Sequence, residues 1–153
     1  MAPKNTDWPW PASALLRYIG GVFAVSSPKK RRLTSLGRQS EALAAAYLRS
    51  QGYEILETNY RGRRGEIDIV ARYQQIIIFV EVKGRRSLNY GLPEESITPE
   101  KRRRLSQTAL EWLKRNKGLE ALVRFDVVTI VWEDHGPRIN HIQNAFQVSE
   151  NGS

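Results

Sequence analysis

The segments Glu66-Ile67-Asp68 and Glu81-Val82-Lys83 each hold two ionisable groups two residues apart, and both sit inside apolar runs, EIDIVARY and IIIFVEVK. Burying a lone carboxylate or ammonium costs several kcal/mol, so charges in such places need partners. Carboxylates with a lysine beside them suit one kind of chemistry. Hard divalent cations prefer carboxylate oxygens, and Mg²⁺ takes one or two of them while keeping waters and substrate phosphate oxygens. The cation lowers the pKa of a bound water and polarises a phosphoryl group. A neighbouring lysine orients that water or stabilises extra negative charge on phosphorus. Taken alone the spacing is common, and Glu and Lys two apart on an edge strand also make a solvated ladder pair. The elements that carry these residues decide between the two.

Side chains on a strand alternate between faces. Ile77, Phe79, Glu81 and Lys83 therefore share one face of a strand, and Ile76, Ile78, Val80 and Val82 take the other. Glu81 and Lys83 lie about 7 Å apart along it. In the run before it, Glu66 and Asp68 share a face with Val70, while Ile67, Ile69 and Ala71 pack behind. A short turn at Gln74 and Gln75 makes the two runs a meander that brings Asp68 beside Glu81. YEILETNY reads as a strand before them, joined through the turn RGRRG.

Helices flank this meander. LGRQSEALAAAYLRSQG is rich in Ala and Leu, with Thr34 and Ser35 as cap candidates and Gly52 as its stop. Leu36, Ser40, Leu43, Tyr47 and Leu48 form its inner face, and Glu41 stands at the border of that stripe, within reach of the sheet's rim. After the loop GRRSLNYGLPEES, Thr98 caps a second helix with Pro99 at its first position. That helix runs to about Asn116 and buries Leu105, Ala109, Trp112 and Leu113. Lys101 shares its inner face, and Arg103 points away. ALVRFDVVTIVW is a fourth strand, and PRINHIQNAF adds a short edge strand. The order is α-β-β-β-α-β, an α/β fold with a mixed central sheet of four to five strands flanked by helices. Residues 1–35 read as a weakly ordered basic arm, 36–145 as the domain and 146–153 as a tail.

The chain has 153 residues, 41% hydrophobic and 26% charged, which fits one soluble domain with a core. It has no cysteine, which excludes disulfides and thiolate zinc sites. His135 and His141 are too few for a histidine metal site and read as surface or edge residues. The apolar stretch ALLRYIGGVFAV is too short to span a bilayer and fits a signal peptide poorly, so no membrane role and a cytoplasmic location are expected. The net charge is +8, compatible with a polyanionic partner such as nucleic acid. Residues 1–35 hold six basic residues against one acid, and the rest of the chain eighteen against fifteen, so local clusters matter more than the total. Arg61, Arg63 and Arg64 precede Asp68, Arg85 and Arg86 follow Lys83, and Lys101 to Arg104 open the second helix; phosphate oxygens are natural partners for all three groups. Asp126 reads as structural, paired with Arg124 or another arginine.

GRQSEALAAAYLRSQGYEILETNYRGRRGEIDIVAR, then FVEVKGRR, YGLPEESITPEKRRRL and RFDVV, resemble in order the YraN-type family of small bacterial proteins. The resemblance covers residues 36 to 131 and none of the first 35. It implies a restriction-endonuclease-like fold of the PD-(D/E)XK nuclease superfamily, which includes archaeal-type Holliday junction resolvases. Carried over by position, Asp68 is the strand acid, Glu81 the second acid, Lys83 the catalytic lysine, and Glu41 resembles the helix acid of the resolvase-like branch. Ile67-Asp68 stands where that pattern has Pro-Asp. The expected function is hydrolysis of DNA phosphodiester bonds by an endonuclease, structure-specific in repair or recombination. Asp68, Glu81 and Glu41 would hold Mg²⁺ or Mn²⁺, and Lys83 would position the attacking water. Arg61, Arg63, Arg64, Arg85, Arg86, Lys101 and Arg104 would hold the DNA backbone. Cutting a junction needs two active sites and hence a homodimer. The competing expectation is a DNA-binding accessory module whose nuclease-like site is catalytically silent. A protein-interaction subunit using the Trp8 and Trp10 arm is a third.

Overall fold

A computed structural model of the chain describes residues 35–86 and 97–147. The basic arm, its tryptophans, the Thr34 cap, the loop at 87–96 and the tail from 148 lie outside the described residues.

Five apolar runs form one sheet in the order β1-β2-β3-β4-β5. These are β1 (Glu54–Arg61), β2 (Glu66–Tyr73), β3 (Ile76–Arg85), β4 (Leu122–Glu133) and β5 (Gly136–Phe146). The β1–β2, β2–β3 and β4–β5 pairs are antiparallel and β3–β4 is parallel. Helix α1 (Ser35–Ser50) precedes the sheet, and α2 (Pro99–Arg115) connects the parallel pair. This is the expected restriction-endonuclease-like architecture, a mixed sheet flanked by two helices. The expected short edge strand is longer: β5 has eleven residues and ends at buried Phe146.

Alternation divides the sheet's side chains between two cores. Ile69, Ala71, Ile78, Val80, Val128 and Ile130 pack with Leu43, Tyr47 and Leu48 of α1. Val70, Phe79, Phe125 and Val127 pack on the other face with Leu105, Ala109, Trp112 and Leu113 of α2. Ile67 breaks the expected pattern and joins the α2 core. It still pairs with Tyr60 of β1, but the β2–β3 ladder stops two residues away at Ile69↔Val80, so this end of β2 is free to turn from β3.

Local signals set the helix limits. Gly52 adopts φ 87° just past α1, and the Tyr53 N–H returns to the Leu48 carbonyl at 3.0 Å. At the start of α2, the Thr98 hydroxyl accepts the Lys101 N–H at 3.2 Å, with Pro99 in the first turn. Helix α1 lies unusually close to β3 at one point. A Cβ on Gly84 would stand 2.1 Å from Ser40 Oγ and 2.8 Å from Ser40 Cβ. The same Ser40 hydroxyl accepts the Trp132 indole N–H at 2.9 Å. A glycine in a strand often marks such an approach, and here it sets α1, with Glu41 next in sequence, against the end of β3.

Asp126 closes a buried polar network on the α1 side. Its oxygens accept both Arg124 Nε at 2.7 Å and Nη2 at 2.8 Å, and the Asn144 N–H at 3.0 Å. His141 Nε2 lies 2.7 Å from Oδ2. Arg124 and Gln143 also donate to the Tyr53 hydroxyl. The expected Asp126–Arg124 pair is present. His141, expected at the surface or edge, instead has a side chain only 4% exposed, because it edges against Tyr47 and Tyr53 while it reaches Asp126. His135 is exposed as expected. Burial by itself would raise the Asp126 carboxyl, but hydrogen bonds from His141, Arg124 and Asn144 hold it below the ordinary carboxylate range.

A folded pKa below the unfolded one gives stability that is present above about pH 4 and lost as pH falls further. Asp126→Asn should therefore cost about 3 kcal/mol in urea unfolding at pH 7, since it leaves Arg124 unpaired. It should also flatten the loss of stability below about pH 4. Gly84→Ala should cost about 2 kcal/mol by overpacking. Adding Ser40→Gly should recover part of that loss, and a double-mutant cycle measures the coupling.

Candidate functional site

Asp68 and Glu81 follow Ile69↔Val80, the last pair of the β2–β3 ladder, and both line one cavity at that end of the sheet. The break has a local cause: Asp68 Oδ2 accepts the Val82 backbone N–H at 2.7 Å, so a side chain takes the place of a ladder carbonyl. Glu81 is buried, 6% exposed, although it carries charge. Two ammonium groups meet one of its oxygens. Lys83 Nζ stands 3.3 Å from Oε1, and Lys101 Nζ, from the first turn of α2, stands 3.2 Å from the same atom.

These groups line a cavity of about 600 Å³ at this end of the sheet. Helix α1 contributes Glu41 and Ser40, β2 contributes Glu66 and Asp68, and β3 contributes Glu81, Lys83 and Gly84. Arg64, from the turn before β2, and Lys101 and Arg104 of α2 complete the wall. Acids and bases are both abundant in it, which sets the electrostatics. Burial, then the Glu81 charge, push the Asp68 carboxyl up to about 8; the Val82 N–H and Lys101 oppose the rise, and Glu41 adds to it. Burial also raises Glu41, a hydrogen bond with Asn59 opposes this, and the charges of Glu66 and Glu81 reinforce it. Asp68 has no ion pair among the described residues, and the Lys101 charge acts on it without contact.

Of the residues singled out from sequence, Glu41, Asp68, Glu81, Lys83, Arg64, Lys101 and Arg104 come together here. Arg61, Arg63, Arg85 and Arg86 do not line the cavity. Arg61 Nε pairs with Glu66 at 3.2 Å, and the Arg63 N–H bonds Glu111 at 2.9 Å while its side chain stays in solvent. Arg85 is partly buried and Arg86 exposed. Glu66, which sequence put on one face with Asp68 but outside the expected site, also lines it. Two features went unread. One is the Ser40–Gly84 approach, for which a polar residue on an apolar helix face and a strand glycine were the available signals. The other is the bond from Lys101 to Glu81. Lys101 was seen to lean inward, but sequence held nothing to say onto which group.

A family model described as "Uncharacterised protein family UPF0102" matches residues 40–130, a span that includes Glu41, Asp68, Glu81, Lys83 and Lys101. A UPF0102 protein of Geobacter metallireducens is 49% identical over 115 residues, covering 75% of this chain and 94% of that relative. A UPF0102 protein of Syntrophomonas wolfei is 49% identical over 111 residues, covering 72% of this chain and 96% of its own. One from Geotalea uraniireducens is 48% identical over 116 residues, covering 75% and 91%. The chain belongs to the UPF0102, or YraN-like, family. No helix among the described residues is long and apolar enough to cross a membrane.

The raised Asp68 carboxyl gives a pH signature. Between about pH 4 and pH 8 the folded chain holds a proton that the unfolded chain has released, so stability falls as pH rises through this window. Asp68→Asn keeps an acceptor for the Val82 N–H but cannot ionise. It should match the wild type near pH 4 and melt about 5 °C higher, or more, at pH 8.5. Thermal unfolding across that pH range is the check.

Proposed function

We propose that this cavity hydrolyses phosphodiester bonds in DNA with the help of a divalent metal ion. The observation that carries the reading is the convergence of Asp68 and Glu81 on one cavity at the open end of β2 and β3, with Lys83 3.3 Å from Glu81 and Arg64 and Arg104 on the wall. The donor set fits Mg²⁺ or Mn²⁺: it consists of carboxylate oxygens, and Asp68 forms no ion pair among the described residues. Among the described residues no three His, Cys, Asp or Glu side chains converge as a ready cage.

Asp68 and Glu81 would hold the ion, with Glu41 reaching it through water. When bound, the ion would supply charge for the phosphoryl oxygens and a water of lowered pKa. Lys83, fixed on a rigid strand, would orient the attacking water or neutralise charge developing on phosphorus. Arg64 and Arg104 would grip the phosphates on either side of the reacting bond. Cutting a four-way junction would need a second copy of the chain to supply the second site.

A second reading draws on one observation. Glu81 is already neutralised by two lysines, so the same fold could bind DNA as an accessory with a silent site. The test is incubation with Mg²⁺ or Mn²⁺ and linear, flapped and four-way DNAs. Metal-dependent cutting is expected, falling at least about 100-fold in Glu81→Ala and Lys83→Ala. DNA binding by the wild type with no cutting under either metal would establish the accessory instead.

A further inference from the structure

Two ammonium groups on one buried carboxylate oxygen are more than Glu81 needs for neutrality. They differ in how they are held. Lys83 stands two residues from Glu81 on the same strand and its side chain is 29% exposed. Lys101 reaches in from another element, the first turn of α2, and its side chain is 39% exposed. It also lines the cavity wall that carries Arg64 and Arg104, so an anion drawn to those guanidinium groups meets the Lys101 ammonium as well. Arg104 is tied to Glu100 one turn back, whereas no ion pair holds Arg64 among the described residues.

We propose that Lys101 is a tethered counter-cation that holds the place of the metal at Glu81 and leaves it for a phosphate when DNA binds. The proposal rests on the metal-dependent reading above and adds the device that couples metal to DNA. With no DNA present, a divalent ion approaching Glu81 meets a fixed positive charge 3.2 Å from the oxygen it needs, and binding is weakened. A phosphate oxygen in the cavity gives Lys101 a second partner of the same sign as Glu81. As the lysine moves, the carboxylate oxygen is released to the metal. The two ligands then favour each other by one common factor, since coupling between binding sites is reciprocal. Lys101 is thus a positioning residue, and its effect appears in binding equilibria before any bond is cut.

The experiment is calorimetric titration of the full chain with Ca²⁺, which takes the same oxygen ligands, with and without a short DNA duplex. The wild type should bind Ca²⁺ weakly alone and about tenfold tighter with the duplex, within the usual range of coupling between sites. Lys101→Met should bind Ca²⁺ about tenfold tighter than the wild type when alone and gain little from the duplex. Lys101→Arg should behave as the wild type, which a loss of packing at this position would not explain. Equal Ca²⁺ affinity in the wild type and Lys101→Met, with binding still abolished by Glu81→Gln, would overturn the role of Lys101 and leave the metal site standing. Unchanged Ca²⁺ binding in Glu81→Gln would overturn the metal site and this proposal with it. Thermal unfolding of each variant verifies that it is folded.

Discussion

Burial of the Asp68 carboxyl, with the Glu81 charge close by, is the constraint to which the cavity answers. The fold takes Asp68 out of water and brings the Glu81 charge near it, which pushes Asp68 up to about 8. The surrounding features read as responses to that concentration of charge. The Val82 N–H turns from the ladder to Asp68, and two lysines converge on Glu81. Beyond this point β2 and β3 no longer pair, which opens the cavity between them. An arrangement that costs stability and serves no packing purpose is what sites for charged ligands tend to look like.

Stability is supplied elsewhere. The Asp126 network joins β4, β5 and Tyr53 on the α1 side, and every hydrogen-bonding atom of that carboxylate is satisfied by an arginine fork, a histidine and a backbone amide. It is a buried acid of the opposite kind from Asp68: one held below the ordinary range by donors, the other pushed above it by burial and a like charge. The two show how one sheet can give carboxylates contrary properties by the choice of neighbours.

Much of this was legible in the sequence. Alternation along EIDIVARY and IIIFVEVK pointed to a meeting of Asp68, Glu81 and Lys83, which do line one cavity, although Ile67 departs from the period of two. Thr98-Pro99 announced α2, and Gly52 the end of α1, because caps act locally. Contacts between elements far apart in the chain were less accessible. His141 looked peripheral because its burial depends on Tyr47, Tyr53 and Asp126, none of them near it in sequence. The arginines followed the same rule. Their clustering was plain, but which of them turn inward depended on partners such as Glu66 for Arg61. The length of β5 was missed because its alternating polar and apolar residues gain their order only from the β4 ladder.

The parallel pairing of β3 and β4, bridged by α2, has a consequence for the order of folding. The β1–β2–β3 meander needs only short loops, so its contacts close early at small entropic cost. The crossover must bring α2 back across the sheet before β4 can dock, a slower and less local event. On this topology the acids of the meander are expected to assemble before Lys101 reaches Glu81. Docking of the crossover relieves that crowding, so electrostatic relief at the cavity joins apolar burial in driving the last stage of the fold.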